Sequence, residues 1–331
     1  MPEHHMPKHR DLFYPYPKSP PYASPRWGMD ARGCASDMRN ISRLVWAVVI
    51  VFIAISCPAS ASTTESAMAP TPEAALNRLY NFDFKGAHNE LSQWDAAHPG
   101  DPLGPALQAA TYMFTEFARL QILEGEFFED DKEIASKKKL QADPTIKAEF
   151  YKSVNAAQKL AQAALKKNPN DQNALFAYSI ATGVQTDYVS LVEKRGLTSL
   201  GYAKQAQEYT HRLLQLNPKF VDAYLTKGFS QYLLSSLPFF VRWFVHFDGV
   251  EPDKQAGIQN LSKVANHGHY FKAYAKILLA IIYLREKQPE HSAQLLTELS
   301  KEYPENPLLR KELSKIEEAM VRGDFGRPGT T

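Results

Sequence analysis

Cysteine is nearly absent from this chain, and its scarcity removes several kinds of chemistry at once. The 331 residues contain two cysteines, Cys34 and Cys57. Both precede Ala61, the last residue of a predicted cleavable leader. The expected mature chain therefore has no cysteine, which excludes disulfide bonds, a thiol nucleophile and cysteine-ligated zinc.

The sequence signatures of common catalytic sites are missing as well. There is no P-loop, no glycine-rich dinucleotide-binding pattern, no HExxH and no nucleophile elbow. Lys plus Arg number 38 against 36 Asp plus Glu, a net charge of +2 with no basic stripe. That balance gives no reason to expect a nucleic acid. We therefore predict a protein that is not an enzyme and that binds no cofactor, no metal and no nucleic acid.

Two short clusters contain metal-ligating residue types without the pattern of a metal site. His267 and His269 lie close together in "HGHY", but further ligands are not apparent, so an exposed turn between helices is expected. The segment "EGEFFEDD" (124–131) lacks the alternating spacing and central glycine of a calcium loop. Because "KKK" (137–139) follows it, we interpret the region as a solvated helical hairpin tip.

The beginning of the chain has the order of a secretory signal. Arg39 and Arg43 precede the uncharged apolar run Leu44 to Ser56, and Ala59 and Ala61 occupy the small-residue positions of a cleavage site. The run is shorter than the roughly 20 residues that a membrane-spanning helix needs. We therefore predict an exported, periplasmic protein.

Other interpretations of this segment stay open. Residues 41–61 could remain uncleaved as a membrane anchor, and "AISC" partly resembles a lipoprotein cleavage box that would leave a lipid on Cys57. Met38 is a plausible true start, because residues 1–37 contain seven prolines and no helical period. The predicted organisation is a disordered or spurious extension at 1–37, a signal peptide at 38–61, a linker at 62–71, a helical domain at 72–320 and a disordered tail at 321–331.

A repeated pattern occupies most of the remaining chain. Small or apolar residues stand twelve and eight residues before each of four prolines: Ala87 and Leu91 before Pro99, Ala157 and Ala161 before Pro169, Ala206 and Thr210 before Pro218, and Ser292 and Leu296 before Pro304. A third set stands five residues before the same prolines: Trp94, Ala164, Leu213 and Leu299. Spacings of four and three mark one face of a helix, which the proline then terminates. Asp101, Asp171 and Asn306 are natural N-caps for the helices that follow.

At these residues the chain resembles the tetratricopeptide repeat (TPR) family. "LAIIY", with Leu279, Ala280 and Tyr283, fits the first helix of such a repeat, and "KGFSQY" places Gly228 at its small position. The resemblance extends over most of residues 72–320. Family repeats recur every 34 residues, whereas these prolines are 70, 49 and 86 residues apart. We therefore expect insertions between the two helices of a pair.

The predicted fold is an all-α, TPR-like solenoid of about five helix pairs and a C-terminal capping helix. A glycine C-cap at Gly268 is expected to end the second helix of pair four. The predicted helices are 72–82 and 85–98, 102–125 and 146–167, 171–184 and 201–216, 220–237 and 253–266, 270–286 and 290–302, and 306–320.

The resemblance implies that a ligand lies along the concave face, which the first helix of each pair lines. The positions carried over are Asn173, Phe176, Ile180, Asp222, Leu225, Phe229, Tyr232, Tyr274, Ile277 and Ile281. Most are apolar or aromatic. The Lys, Arg and Asn clamp of chaperone-binding relatives is absent, so recognition of a peptide carboxylate is not expected.

The aromatic segment 237–249, "LPFFVRWFVHFDG", carries Phe240, Trp243, Phe244 and Phe247 at helical spacing. Such a run either fills the groove of its own solenoid or contacts a ligand, partner or membrane surface. We expect Phe240 and Phe244 to be core and Trp243 to lie at the groove mouth.

The function expected from these observations is binding. We predict a non-enzymatic protein-binding or scaffold module of the bacterial cell envelope, with a protein, peptide or apolar ligand in the concave groove. The alternatives are an enzyme-associated subunit or small-apolar-ligand-binding protein, and a lipid-anchored envelope assembly factor. The sequence offers Glu193, Arg195, Asp222 and His269 as scattered titratable candidates.

Overall fold

The repeated spacing folds as pairs of helices. The computed structural model of the chain describes residues 69–123, 140–236 and 250–324. These ranges contain eleven α-helices, a 3-10 helix at Val221–Ala223 and no β-strand. The α-helices are α1 (Pro72–Tyr80), α2 (Phe84–Ala97), α3 (Leu103–Arg119), α4 (Pro144–Lys167), α5 (Gln172–Leu191), α6 (Gly196–Leu216), α7 (Tyr224–Ser236), α8 (Lys254–His267), α9 (Lys272–Arg285), α10 (Pro289–Glu302) and α11 (Pro307–Arg322).

Each helix packs chiefly on the helix before it and the helix after it. Pairs α1–α2, α3–α4, α5–α6, α7–α8 and α9–α10 follow one another, and α11 packs on α10. This arrangement confirms the predicted all-α, TPR-like solenoid of five helix pairs with a final helix. Neighbouring pairs bury each other's apolar faces, which is why the same residue types recur along the chain.

The four prolines of the repeat terminate helices in the same way. Helices α2, α4, α6 and α10 each end two residues before their proline. The residue between helix end and proline leaves the helical region every time, as at Asn168 (φ −136°, ψ 99°) and Asn217 (φ −141°, ψ 88°). A proline disfavours helical backbone in the residue before it, so the sequence signal has a direct structural cause.

The small residues of the repeat are buried at the helix contacts. All eight residues that stand twelve and eight positions before the prolines have a relative exposure of 7% or less. Five positions before, Leu213 and Leu299 are buried, whereas Trp94 and Ala164 are half-buried. The alignment on proline is therefore confirmed. Its consistently buried positions lie twelve and eight residues before the proline, whereas the position five residues before it is buried in only two of the four cases.

Pair three differs from the prediction. We expected α5 to end near residue 184 and an insertion to follow, but α5 continues to Leu191 and α6 begins at Gly196. The added length is helix, because it buries Tyr188 against Phe150 of α4, with ring centroids 4.3 Å apart and stacked. Val192, which is fully buried, completes that cluster.

The expected N-caps are present, with one change of detail. The Asp171 side chain accepts from the Ala174 N–H, and Asn306 accepts from the Leu308 N–H. Pro102 holds the cap position of α3, but Asp101 still accepts from the Leu103 N–H at 2.9 Å. These bonds satisfy backbone donors that have no partner inside the helix.

Gly268 stands at the end of α8 for a reason other than the one predicted. Its φ is −64° and its ψ is 145°, so the left-handed conformation of a glycine C-cap is not used. A Cβ at this position would lie 2.6 Å from the Val264 carbonyl oxygen and 3.2 Å from Asp222 Oδ1. Glycine is required here because the chain passes so close to its neighbours.

The tightest helix contact lies between α7 and α8. A Cβ on Gly257 would sit 2.8 Å from both the Gly228 carbonyl oxygen and the Tyr232 nitrogen. A Cβ on Gly228 would likewise sit 2.9 Å from the Gly257 carbonyl oxygen. The small residue expected at Gly228 thus lets two backbones approach where any side chain would separate them.

The two ends of the described array meet. The Asn306 Nδ2 donates to the Tyr80 carbonyl oxygen at 2.8 Å, although 226 residues separate them. The rings of Tyr80 and Tyr303 lie 5.4 Å apart. Further along, Phe114 of α3 meets Tyr274 of α9 edge to face at 5.5 Å. Residues that lie far apart along the array therefore contact each other directly.

Several sequence predictions fall outside the described residues. These are the extension 1–37, the leader 38–61, the acidic segment 124–131 and the aromatic segment 237–249 with Trp243. Helix α11 runs two residues past its predicted end, and Gly323 closes it in the left-handed conformation (φ 79°). None of the helices in the described ranges combines the length and the apolar character that a membrane span requires.

Candidate functional site: the central cavity

The first helices of all five pairs, together with α11, surround one cavity of about 150 Å³, which we name the central cavity. Its wall includes Leu79 and Tyr80 of α1, Phe114 and Phe117 of α3, Asp187 and Leu191 of α5, Phe229 of α7, Tyr274, Ile277 and Ile281 of α9, and Leu309, Glu312 and Ile316 of α11. On α3, α5, α9 and α11 these residues are three or four apart, so they share one face of each helix. The wall is almost entirely hydrocarbon and aromatic.

Asp187 is one of two charged residues, with Glu312, among the described residues of this wall. Four residues before Leu191, its carboxyl lies on the cavity face of α5. It has no hydrogen bond or ion pair with another described residue. Burial alone raises the pKa of Asp187 to about 7. The residue as a whole is half-buried.

Tyr274 is the titratable neighbour of Asp187. Burial raises the pKa of the Tyr274 hydroxyl, and the nearby Asp187 carboxylate raises it further. The two groups belong to α5 and α9. Three α-helices lie between α5 and α9 along the chain, but both helices line the central cavity. A carboxyl and a phenol therefore lie near each other in a largely apolar pocket, where electrostatic interactions are stronger than in water.

Four predicted groove residues line the central cavity: Phe229, Tyr274, Ile277 and Ile281. The other described ones do not. Phe176 and Ile180 are buried in the core, and Leu225 is partly buried against it. The Tyr232 hydroxyl donates to Glu286 Oε1 at 2.9 Å. Asn173 is exposed, and its side-chain amide donates to Asp101 Oδ1 at 2.8 Å. The proposed binding role of these residues remains a prediction.

Asp222 has a structural role that the sequence did not indicate. Its carboxylate accepts the backbone N–H groups of His269, Tyr270 and Phe271 at 2.9, 3.0 and 2.8 Å. Phe271, the N-cap residue of α9, provides no side-chain cap of its own. Asp222 thus caps α9 from 49 residues away, and its carboxylate oxygens are occupied.

The remaining titratable candidates do not converge. Glu193 pairs with Lys147 at 2.6 Å and with Arg195 at 3.2 Å, beside α4. His269 pairs with Glu73 of α1 at 2.6 Å, and both side chains are largely exposed. Within the described residues, no three His, Cys, Asp or Glu side chains group closely enough to hold a metal ion.

A second pocket of about 220 Å³ opens on another face of α9, between α8 and α10. Lys276 in its wall forms an ion pair with Glu298 at 2.9 Å. These charged groups of the pocket are thus engaged with each other, so we regard the central cavity as the candidate site.

Asp187 was missed because the predicted first helix of pair three ended before it. The signal that could have found it is the continued apolar pattern of Tyr188, Val189 and Leu191, which extends α5 by two turns. On that helix an isolated Asp on the inward face is conspicuous. Helix α11 was predicted only as a cap, although Leu309 and Ile316 also line the cavity.

No protein-family model matches the chain, and the comparison with curated proteins finds no match. Among solved structures, the chain is similar to a thermophilic TPR protein of Thermus thermophilus, with 15% sequence identity and a TM-score of 0.41. The alignment covers 75% of this chain and 97% of that chain. The helix-pair architecture described above rests on the packing within this chain itself.

Proposed function

We propose that this chain is a non-enzymatic binding protein of the bacterial cell envelope, which holds an apolar ligand in the central cavity. The carrying observation is the cavity itself, with its wall of Leu, Ile, Phe and Tyr side chains from all six inward helices. Concave surfaces are the binding surfaces of helical repeat arrays. Enclosed apolar cavities with few polar groups are typical small-molecule sites.

A small ligand fits this geometry better than an extended peptide. The contacts of Tyr80 with Asn306 and of Phe114 with Tyr274 cross the concave face. An extended peptide would have to break them. A protein partner remains the alternative, and it would have to insert a single apolar side chain.

The dispersal of the titratable candidates supports the non-enzymatic part of the proposal. Glu193, Asp222 and His269 are engaged at three separate places: Glu193 in ion pairs, Asp222 in a helix cap and His269 in a hydrogen bond with Glu73. Asp187 and Tyr274 do meet at the cavity, but an enzyme would also need a nucleophile or an electrophilic group converging with them.

Occupancy of the cavity can be tested with toluene, because an apolar cavity of about 150 Å³ takes a benzene-sized molecule. We expect saturable binding by calorimetry, and its loss in Ile281→Trp, which places an indole in the cavity. Leu233→Trp on the exposed surface of α7 is the matched control and should bind normally. Unchanged binding in Ile281→Trp would contradict the proposed site.

Envelope location rests on the leader sequence and has its own test. N-terminal sequencing of the exported protein should give Ser62 as the first residue. An acylated Cys57 would instead support a lipid-anchored factor, and an intact leader would support an anchor formed by residues 41–61.

A further inference from the structure

We propose that the ligand of the central cavity is a small apolar amine whose cationic group pairs with Asp187. This inference rests on the proposed binding function and specifies its ligand class. It depends on the charges of the cavity wall, on the isolation of one carboxyl, and on the aromatic rings beside it.

The wall has acidic charge without a basic counterpart. Among the described residues that line the cavity, Asp187 and Glu312 are the charged ones, and none is Lys, Arg or His. Glu312 already has a partner, because Lys315 Nζ lies 3.0 Å from its Oε1. Asp187 has none among the described residues. Among the described lining residues, Asp187 is therefore the charged group that has no opposite charge beside it.

An amine resolves the energetic cost that this carboxyl imposes. A buried carboxylate without a partner is strongly destabilised, and in isolation it takes up a proton instead. A bound ammonium group supplies the opposite charge and up to three hydrogen-bond donors. A hydrocarbon or alcohol of the same shape supplies no charge and leaves the carboxyl protonated near neutral pH. Asp187 is therefore expected to supply most of the discrimination between amine and alcohol.

The aromatic rings around the site favour a cation as well. Tyr274, next to Asp187, meets Phe114 edge to face, and the Tyr80 ring lies in the same wall. Aromatic faces attract cations, and the attraction is larger when water is excluded. The rest of the wall is hydrocarbon, which matches the apolar body of the ligand. A cavity of about 150 Å³ limits that body to roughly one six-membered ring.

The proposal predicts a pH dependence with a defined sign. The titratable groups that line the cavity with Asp187 are Tyr80 of α1, Tyr274 of α9 and Glu312 of α11, and the described lining residues of α3 and α7 contribute none. An alkylamine stays protonated up to about pH 8, as lysine does. Amine affinity should therefore rise as Asp187 ionises, up to about tenfold per pH unit below its pKa, and level off above it.

The experiment compares three probes of nearly equal shape: benzylamine, benzyl alcohol and toluene. Each is titrated calorimetrically into the full-length protein at about pH 6 and about pH 8, on either side of the pKa of Asp187. For the wild type, we expect benzylamine at the higher pH to bind at least about tenfold more tightly than either neutral probe. We expect the preference to disappear in Asp187→Asn and to persist in Glu317→Gln, which removes one carboxylate from the exposed surface of α11. Circular dichroism should confirm that both variants are folded.

The outcomes separate this inference from the function on which it rests. If the neutral probes bind as tightly as benzylamine at the higher pH, the amine proposal is overturned while the binding function stands. If Asp187→Asn keeps the amine preference, Asp187 is not the group that recognises the ligand, and the proposal is also overturned. If none of the three probes binds, the binding function itself fails.

Discussion

Replacing Asp187 with Asn should stabilise the ligand-free protein at neutral and alkaline pH. Asn keeps the shape of the side chain but cannot carry the charge. The pKa of the Asp187 carboxyl is about 7 against a usual 3.8. Each unit of pKa corresponds to about 1.4 kcal/mol. The carboxylate therefore costs the folded state at most about 4 kcal/mol above pH 7.

The sign of the pH dependence follows from proton uptake. Between about pH 4 and pH 7 the folded protein holds a proton on Asp187 that the unfolded chain has released. Raising the pH through this range therefore lowers the free energy of unfolding. Below this range the carboxyl is protonated in both states, and above it the carboxyl is ionised in both, so the contribution is constant there.

Urea unfolding of both proteins from about pH 4 to about pH 8.5 provides the measurement. The difference in unfolding free energy should be small at the acid end, grow with pH and level off above about pH 7. Burial also raises the pKa of Asp95, to about 6, but this group is present in both proteins and cancels in the comparison. A difference that is independent of pH would refute the idea that Asp187 is buried as an unpaired carboxyl.

Three further predictions test the packing. Asp222→Ala leaves three N–H groups at the start of α9 without their acceptor and should cost about 2–4 kcal/mol in urea unfolding; unchanged stability would show that these bonds are dispensable. Gly257→Ala should lower the free energy of unfolding by about 1–3 kcal/mol, because the added methyl group meets backbone atoms of α7. In the control Gly201→Ala in α6 the methyl group meets open space, and the free energy of unfolding should rise by about 0.5–1 kcal/mol. Ala161→Arg should lower the thermal midpoint far more than Ala164→Arg, since Ala161 is fully buried and Ala164 is half-buried; equal effects would mean that the observed burial does not govern tolerance.

The helical array could be predicted because its signals are local. A proline two residues past a helix end, a small residue at a helix contact and an Asp or Asn cap each act within a few residues of chain. Ala157, Ala206 and Asn306 were therefore identified correctly without any knowledge of tertiary contacts. The predicted end of α3 at residue 125 was wrong, since α3 ends at Arg119. The ends predicted around Leu191 and Gly196 were also wrong, because they depend on Tyr188 packing against Phe150 of another pair.

The site was predicted only in part because it is assembled from distant residues. Position along a first helix was enough to identify Phe229, Tyr274, Ile277 and Ile281 as inward-facing. It could not show that Asp222 caps α9 from 49 residues away. Nor could it show that Asp187 and Tyr274 share one space, since no local pattern connects α5 with α9.

The contact between Tyr80 and Asn306 has a consequence for how this protein can change in length. An open array of repeats gains or loses a unit at the cost of one interface, because each unit contacts only its neighbours. Here the first helix bonds to the start of the last one. An inserted or deleted pair would displace Asn306 by the width of a whole unit and separate the two ends. Duplication of a helix pair within this chain should therefore be selected against. Neither end should unfold by itself, because the contact between them ties the two ends together.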